Sequence, residues 1–159
     1  MPRLKKILVP VDYSDCSRMA MEYALFLAGR FEAEIEVLHV VEMPPHGEEQ
    51  TVVRPDTGKE QLLSDLLMQE AVKTETEFLA PFARDATIPI ERRLLKGRPG
   101  KVIVEAATER GADLIVMGTH GRSGFERLLM GSVTERVLPS APWPVVVVRH
   151  PKRVLMPRS

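Results

Sequence analysis

Hydrophobic and polar positions divide this chain into two kinds of segment. Short runs that are almost continuously apolar are typical of strands buried on both faces of a parallel sheet. Such runs occur at residues 7–11, 113–117 and 145–148. Residues 34–41 alternate at first and then become apolar, and residues 88–95 are also predicted to form a strand. Between them, apolar residues recur at helical spacing, which predicts amphipathic helices. The pattern therefore predicts the element order β-α-β-α-β-α-β-α-β and an α/β fold, with a parallel sheet covered by helices on both faces.

The spacing of apolar residues and the positions of proline and glycine set the expected ends of these elements. Four helices are predicted, at about residues 15–29, 59–84, 102–107 and 133–138. Proline cannot donate to a strand ladder, so the first strand is expected to end near Pro10 and the third to start after Pro89 or lie near an edge. Gly111 is placed to cap the third helix. Residues 42–58 are rich in proline and glycine and show no period, which predicts a long loop, either functional or loosely ordered.

Composition narrows the class of protein. With 159 residues the chain has the size of one ordinary domain, and we assign residues 1–149 to that domain and 150–159 to a flexible tail. The 22 basic and 22 acidic residues give zero formal net charge, so no global field favours nucleic acid or an anionic membrane. The sequence has no apolar span of transmembrane length, and its single cysteine forms no intrachain disulfide. These features fit a cytoplasmic protein with no nucleic-acid partner and no membrane insertion.

A glycine-rich stretch, residues 118–132, lies between the predicted fourth strand and the predicted fourth helix. Glycines let a backbone turn sharply and approach a ligand closely. The first N–H groups of a helix have no partner inside the helix, and together with the helix dipole they attract an anion. A strand, a glycine-rich loop and a helix start in this order therefore indicate phosphate binding.

The spacing of the stretch is specific. Gly118 and Gly121 are followed by Gly131 and Ser132, which is the pattern G-x2-G-x9-G-[S/T]. The chain thereby resembles the nucleotide-binding branch of the universal stress protein family, and residues 7–12 and 111–121 also resemble that family. The resemblance covers about residues 5–148. It implies a five-stranded parallel sheet of order 3-2-1-4-5, Rossmann-like and similar to the adenine nucleotide alpha hydrolases, with ligands bound where strands one and four end.

The resemblance also implies a set of nucleotide contacts. They are Pro10, Val11, Asp12, Ser14, Val40, Val41, Met117, Gly118, Thr119, His120, Gly121, Arg122, Gly131, Ser132, Val133 and Thr134. The phosphates are expected over Gly118–Gly121 and the start of the fourth helix. The base is expected between Val11, Val40 and Met117. The alternative for these apolar residues is simple core packing.

Two polar residues have a second interpretation. Asp12 could accept from a ribose hydroxyl or an adenine amino group, or it could be the N-cap of the first helix, a role that Ser14 or Asp15 could also fill. Ser132 could cap the fourth helix, donate its hydroxyl to a phosphate, or do both.

Other residues capable of chemistry have weaker support. Arg122 and Arg127 could pair with phosphate or be solvated surface residues. No acid, nucleophile or metal ligand accompanies His120 in the sequence, so we assign no catalytic residue and no protein-bound metal. Cys16 is expected to be a buried packing residue. Residues 97–101 superficially resemble a P-loop but lack its G-x4-G-K-[S/T] spacing.

The resulting prediction is a regulatory module that binds ATP, or alternatively ADP or AMP, with Mg²⁺ held through the phosphates. The resemblance implies a homodimer formed by the edge strand Val145–Val148, and an unidentified protein partner is expected. One alternative is an enzyme, such as a slow ATPase. A second alternative is an interaction protein that binds no nucleotide.

Overall fold

Five parallel strands form the main sheet of the computed structural model, which describes residues 2–84, 87–119 and 130–149. Their spatial order is β5 (Ile90–Lys96), β2 (Glu34–Val41), β1 (Lys6–Pro10), β6 (Leu114–Gly118) and β7 (Val145–Val148). Counted along the chain, the strands of this sheet stand in the order 3-2-1-4-5. The predicted fold class and strand order are therefore confirmed.

Helices cover both faces of the sheet. Within the described residues they are α1 (Asp15–Phe31), α2 (Leu63–Ala83), α3 (Pro99–Arg110) and α4 (Ser132–Ser140). The side chains of Ile7 and Val9 pack with α1 and α2, whereas Leu8 between them packs with α3 and α4. This alternation follows from the period of two along a strand. Because both faces are covered, most positions of the central strands are apolar, with Glu36 of β2 as a buried exception.

Proline and glycine mark the ends of elements largely as predicted. Strand β1 ends at Pro10, and β5 begins at Ile90, directly after Pro89. Gly111 caps α3 in the left-handed conformation, with φ of 64°. The end predicted for α1 near Gly29 is two residues too early, because the helix continues to Phe31 and Glu32 takes the left-handed C-cap.

The long loop predicted over residues 42–58 is wrong in part. Residues Thr51–Val53 form a strand, β3, that pairs antiparallel with Glu60–Leu62, strand β4. The prediction that the second helix starts at residue 59 is therefore also wrong, since α2 starts at Leu63. Strands of three residues are too short to show a period of two, and Leu62 continues the apolar spacing of the helix that follows.

Two carboxylates are buried between the sheet and its helices. Glu36 on β2 and Glu75 on α2 are each 2% exposed. Glu36 is paired with Arg93 at 3.4 Å, and Glu75 accepts a hydrogen bond from Arg92 Nε at 3.1 Å. Glu75 Oε1 has no hydrogen-bond partner among the residues that the structure describes. Burial raises the pKa of Glu75 above its ordinary 4.5, and Arg92 and His39 oppose that rise only in part.

The raised pKa of Glu75 predicts a pH-dependent stability. The folded protein binds this proton more tightly than the unfolded chain does, so the contribution of Glu75 to the free energy of unfolding falls as the pH rises above about 4.5. The Glu75→Gln variant cannot ionise. We therefore expect the wild type to lose stability relative to this variant as the pH rises above about 4.5, as measured by urea unfolding. The control is Glu77→Gln, an exposed position on the same helix, whose free energy of unfolding should depend on pH as that of the wild type does. If the free energy of unfolding of Glu75→Gln also changed with pH in parallel with the wild type, the prediction would be contradicted.

Candidate functional site

A cavity of about 420 Å³ opens where β1 and β6 end. The chain leaves β1 for α1 on one face of the sheet and leaves β6 for α4 on the other. Adjacent parallel strands whose connections diverge leave a crevice between them, and ligands of open α/β sheets bind in that crevice. The volume lies within the range of small-molecule pockets, about 300–1,000 Å³.

The structure places most of the predicted contacts around this cavity. The lining includes Pro10, Val11, Asp12, Val40, Val41, Met117, Gly118, Thr119, Gly131, Ser132, Val133 and Thr134. The predicted contact Ser14 does not line it. His120, Gly121, Arg122 and Arg127 lie outside the described residues. The sequence prediction thus located the cavity, although these four residues of the glycine-rich loop are not placed.

One end of the cavity is apolar. Val11, Val40 and Met117 are 5%, 7% and 4% exposed and lie at the ends of three neighbouring strands, Val11 directly after β1. Val40 and Met117 also belong to the core cluster that lies under α3 and α4. Ile103 of α3 belongs to the same cluster and also lines the cavity. These residues form an apolar slot that suits a planar apolar group.

A fixed carboxylate stands beside this slot. Asp12 Oδ1 accepts from the Ser17 hydroxyl at 2.7 Å and from the Ser14 amide at 3.0 Å. The amide of Asp12 in turn donates to Ser17 Oγ at 2.9 Å. The N-cap of α1 is Ser14, whose hydroxyl accepts from the Ser17 amide at 3.2 Å. Asp12 is therefore not the N-cap, and its carboxylate is held at the cavity by a closed set of hydrogen bonds.

The opposite end of the cavity is the start of α4. Gly131 is the N-cap of this helix, with an extended backbone, and its amide donates to the Thr119 carbonyl. The first helical hydrogen bond runs from the Glu135 amide to the Gly131 carbonyl at 3.0 Å. The amides of Ser132, Val133 and Thr134 precede that bond and have no partner within the helix, which makes this end suitable for an anion.

Of the two roles left open for Ser132, the structure excludes capping of α4. Ser132 is the first residue inside the helix, and Gly131 occupies the N-cap position without a side-chain hydrogen bond. Thr134 supplies the side chain that ties this helix to the sheet, because its hydroxyl donates to the Gly118 carbonyl at 3.0 Å. The hydroxyl of Ser132 is therefore not needed for capping.

Gly118 is required by packing as well as by the glycine pattern. A Cβ at this position would lie 2.6 Å from Cys16 Cβ and 3.0 Å from the carbonyl carbon of Cys16. Cys16 is 4% exposed, which confirms the prediction of a buried packing cysteine. The absence of a side chain at Gly118 lets the start of α1 and the end of β6 approach closely, at the edge of the cavity.

Sequence reasoning missed several residues of the lining. They are Ser17, Leu38, His39, Glu42, Pro99 and Ile103. Leu38, His39 and Glu42 flank the predicted pair at the end of β2 and could have been included with it. Pro99 and Ile103 belong to α3, which reaches the cavity only through the crossover from β5, and no local pattern signals that contact.

The fold and the cavity together define an α/β protein with a cavity where the strand order reverses. The chain belongs to the universal stress protein family, whose family model matches residues 3–149.

Individual relatives agree with this assignment. The universal stress protein MJ0531 of Methanocaldococcus jannaschii is 40% identical to this chain, over 94% of this chain and 84% of its own. The solved structure of the hypothetical protein MJ0577 has a TM-score of 0.75 at 28% identity, covering 92% of this chain and 96% of its own. A universal stress protein from Archaeoglobus fulgidus in complex with dAMP has a TM-score of 0.61 at 23% identity, covering 92% and 98%, and shares the fold.

The close approach at Gly118 predicts opposite effects for two glycine substitutions. Gly118→Ala should lower the free energy of unfolding by about 1–3 kcal/mol, because its Cβ meets the Cys16 backbone. The control is Gly29→Ala, in α1, which is the helix that carries Cys16. A Cβ at Gly29 would lie 3.7 Å from Ile88 Cδ1, an ordinary contact distance. This control should raise stability by about 0.5–1 kcal/mol, since glycine is a poor helix former. Denaturant unfolding of both variants without nucleotide checks this, and an unaffected Gly118→Ala would contradict the close packing.

Proposed function

We propose that this chain is a cytoplasmic, regulatory module that binds an adenine nucleotide in the cavity. One observation carries the proposal: a single cavity joins an apolar slot to the start of a helix. The slot between Val11, Val40 and Met117 suits a purine ring, and the first amides of α4 suit phosphates. The G-x2-G-x9-G-S pattern in the sequence supports the same orientation of the ligand.

Asp12 lies between these two ends and would bind the nucleoside. Its carboxylate is already oriented by Ser14 and Ser17, so accepting from a ribose hydroxyl or the adenine amino group would need little rearrangement. The dAMP complex of the Archaeoglobus fulgidus protein shows that this fold accommodates an adenine nucleotide in that protein. ATP is the nucleotide that we propose for this chain, with ADP and AMP sharing the same adenosine contacts.

The phosphates would lie over Gly118, Thr119 and the α4 start, with His120, Gly121 and Arg122 of the motif completing the site. The described residues contain no group of three or more His, Cys, Asp or Glu side chains arranged to hold a metal ion. Mg²⁺ would accordingly be bound through the phosphates, which act as its oxygen ligands.

We propose binding, not rapid catalysis, as the role of the site. The lining residues with acid or base groups are Asp12, His39 and Glu42 among those that the structure describes. Asp12 Oδ1 accepts from two neighbours, and His39 Nδ1 lies 2.7 Å from the Val11 carbonyl. Both groups are thus engaged in holding the β1 end.

Glu42 lines the cavity and leads into the segment that carries the β3–β4 hairpin. Ligand contacts at Glu42 would therefore alter the surface of that segment, to which a protein partner could bind.

The nucleotide proposal predicts a ligand-dependent gain in stability. ATP with Mg²⁺ at about 100 times its Kd should raise the free energy of unfolding by about 2.7 kcal/mol. Asp12→Asn should weaken ATP binding about tenfold or more, because a charge-assisted hydrogen bond is lost. Asp15→Asn is the matched control, since Asp15 is exposed and does not line the cavity. Thermal unfolding and calorimetric titration measure both effects.

The outcome that would overturn nucleotide binding is specific. The purified protein would show no thermal shift with excess ATP and Mg²⁺, and would release no adenine nucleotide on denaturation when examined by mass spectrometry. An interaction protein without a ligand would then be the better explanation. Release of ADP would instead point to turnover at the site.

We propose a homodimer formed through β7. Among the described residues, this strand pairs only with β6 and lies at the edge of the sheet. The Ile115 amide donates to the Pro144 carbonyl and the Thr119 amide to the Val148 carbonyl. Even-numbered positions of β7 therefore face β6, and the backbone groups of Val145 and Val147 point to the open edge. An apolar edge of this kind favours pairing with the same strand of a second copy about a two-fold axis.

The direction of these backbone groups predicts which proline substitution breaks the dimer. Val147→Pro removes an outward amide and leaves the ladder to β6 intact, so the variant should be folded and monomeric. Val147→Ala keeps the amide and should remain dimeric. Size-exclusion chromatography with light scattering measures the mass of each. A monomeric wild type, or a dimeric Val147→Pro, would contradict the proposed interface.

A further inference from the structure

The turn between β1 and α1 holds a residue in a costly conformation. Tyr13 follows Asp12 and has a φ of 65°, in the left-handed region. Bulky residues seldom adopt this conformation, and it persists only where the surrounding structure enforces it. Because Tyr13 adjoins the carboxylate at the cavity, the groups that enforce its conformation also set the position of Asp12.

The backbone before this turn is held from β2. The Val11 amide donates to the Leu38 carbonyl at 2.8 Å. The Val11 carbonyl lies 2.7 Å from His39 Nδ1. A carbonyl oxygen only accepts, so Nδ1 must carry the hydrogen of this bond. His39 thus extends the pairing of β1 and β2 beyond the point where Pro10 ends the strand.

The side chain of Tyr13 is held by the same histidine and by α2. Its ring centroid lies 4.3 Å from that of His39 and 5.5 Å from that of Phe78. Its hydroxyl donates to the Ala71 carbonyl of α2 at 3.4 Å. His39 therefore contacts the residues that precede and follow Asp12 in the sequence. It binds the Val11 carbonyl and packs against the Tyr13 ring.

We propose that His39 is a positioning residue for nucleotide binding: it holds the Val11 carbonyl and the Tyr13 ring, and thereby places the Asp12 carboxylate at the cavity. The proposal rests on the proposed function for its effect on affinity. The geometry of the turn can be tested without any ligand. A histidine that only stabilised the core would act on the whole fold and not on this turn in particular.

Amide hydrogen exchange of the free protein gives the first test. The Asp12 amide donates to Ser17 Oγ and the Ser14 amide to Asp12 Oδ1. In His39→Leu both amides should exchange about tenfold faster, while the buried amide of Val37 keeps its rate. His39→Asn retains a donor at the δ position and should restore the slow rates. Unchanged exchange at Asp12 and Ser14 in His39→Leu would overturn the positioning role, whatever the nucleotide results.

A double-mutant cycle gives the second test. His39→Leu should weaken binding of both adenosine and ATP about tenfold, with His39→Asn close to wild type. In the Asp12→Asn background, His39→Leu should have little further effect, since the group that it positions is already changed. Tyr23→Phe, at an exposed position of α1 that does not line the cavity, is the matched control with unchanged affinity. Losses that multiply independently in the double variant would overturn the proposal.

These measurements separate the two proposals. If the wild type binds neither ATP nor adenosine, the proposed function fails, and the exchange rates alone decide whether His39 positions the turn. If the wild type binds and the exchange rates respond but the cycle is additive, His39 orders the turn but does not act on affinity through Asp12, and the positioning proposal fails alone.

Discussion

The site depends on the divergence of the two central strands. β1 and β6 lie side by side and end at the same edge of the sheet, but the chain leaves them toward opposite faces. The cavity opens between their ends. This arrangement brings the carboxylate after β1 and the helix start after β6 to opposite sides of one pocket, although more than a hundred residues of chain lie between them.

Two backbone carbonyls at the end of β6, those of Gly118 and Thr119, anchor the polar end of the cavity. The Gly118 carbonyl accepts from Thr134, and the Thr119 carbonyl accepts from the Gly131 amide. Cys16 of α1 occupies the space that a side chain at Gly118 would need. Gly118 thus lets α1 pack closely, accepts the hydrogen bond that anchors α4, and is the first residue of the glycine motif. A glycine pattern that indicates phosphate binding is, at this position, also a requirement of the fold.

The fold could be read from the sequence because its determinants are local. Largely apolar runs marked the strands of the main sheet, although β2 and β5 also carry charged residues, and Pro10, Pro89 and Gly111 marked ends. The hairpin of β3 and β4 could not be read in this way, because two strands of three residues carry no period and depend on pairing with each other. At the site, most residues at strand ends were identified, although Leu38, His39 and Glu42 were missed. Ile103 was not, since α3 reaches the cavity only through the tertiary fold, and the capping role given to Ser132 belongs to its neighbour.

The two ends of the cavity differ in how freely they can change. Val40 and Met117 line the slot and are also members of a core cluster, so a substitution that reshapes the slot also removes packing from the sheet. Asp12 and Glu42 are not part of either core cluster. Differences in nucleotide preference within this fold are therefore expected to arise at the strand-end polar groups and the glycine-rich loop, while the apolar slot stays the same. His39 links the apolar slot and the polar groups of the cavity, because it packs against the Tyr13 ring beside the core and, as we propose, sets the position of the Asp12 carboxylate.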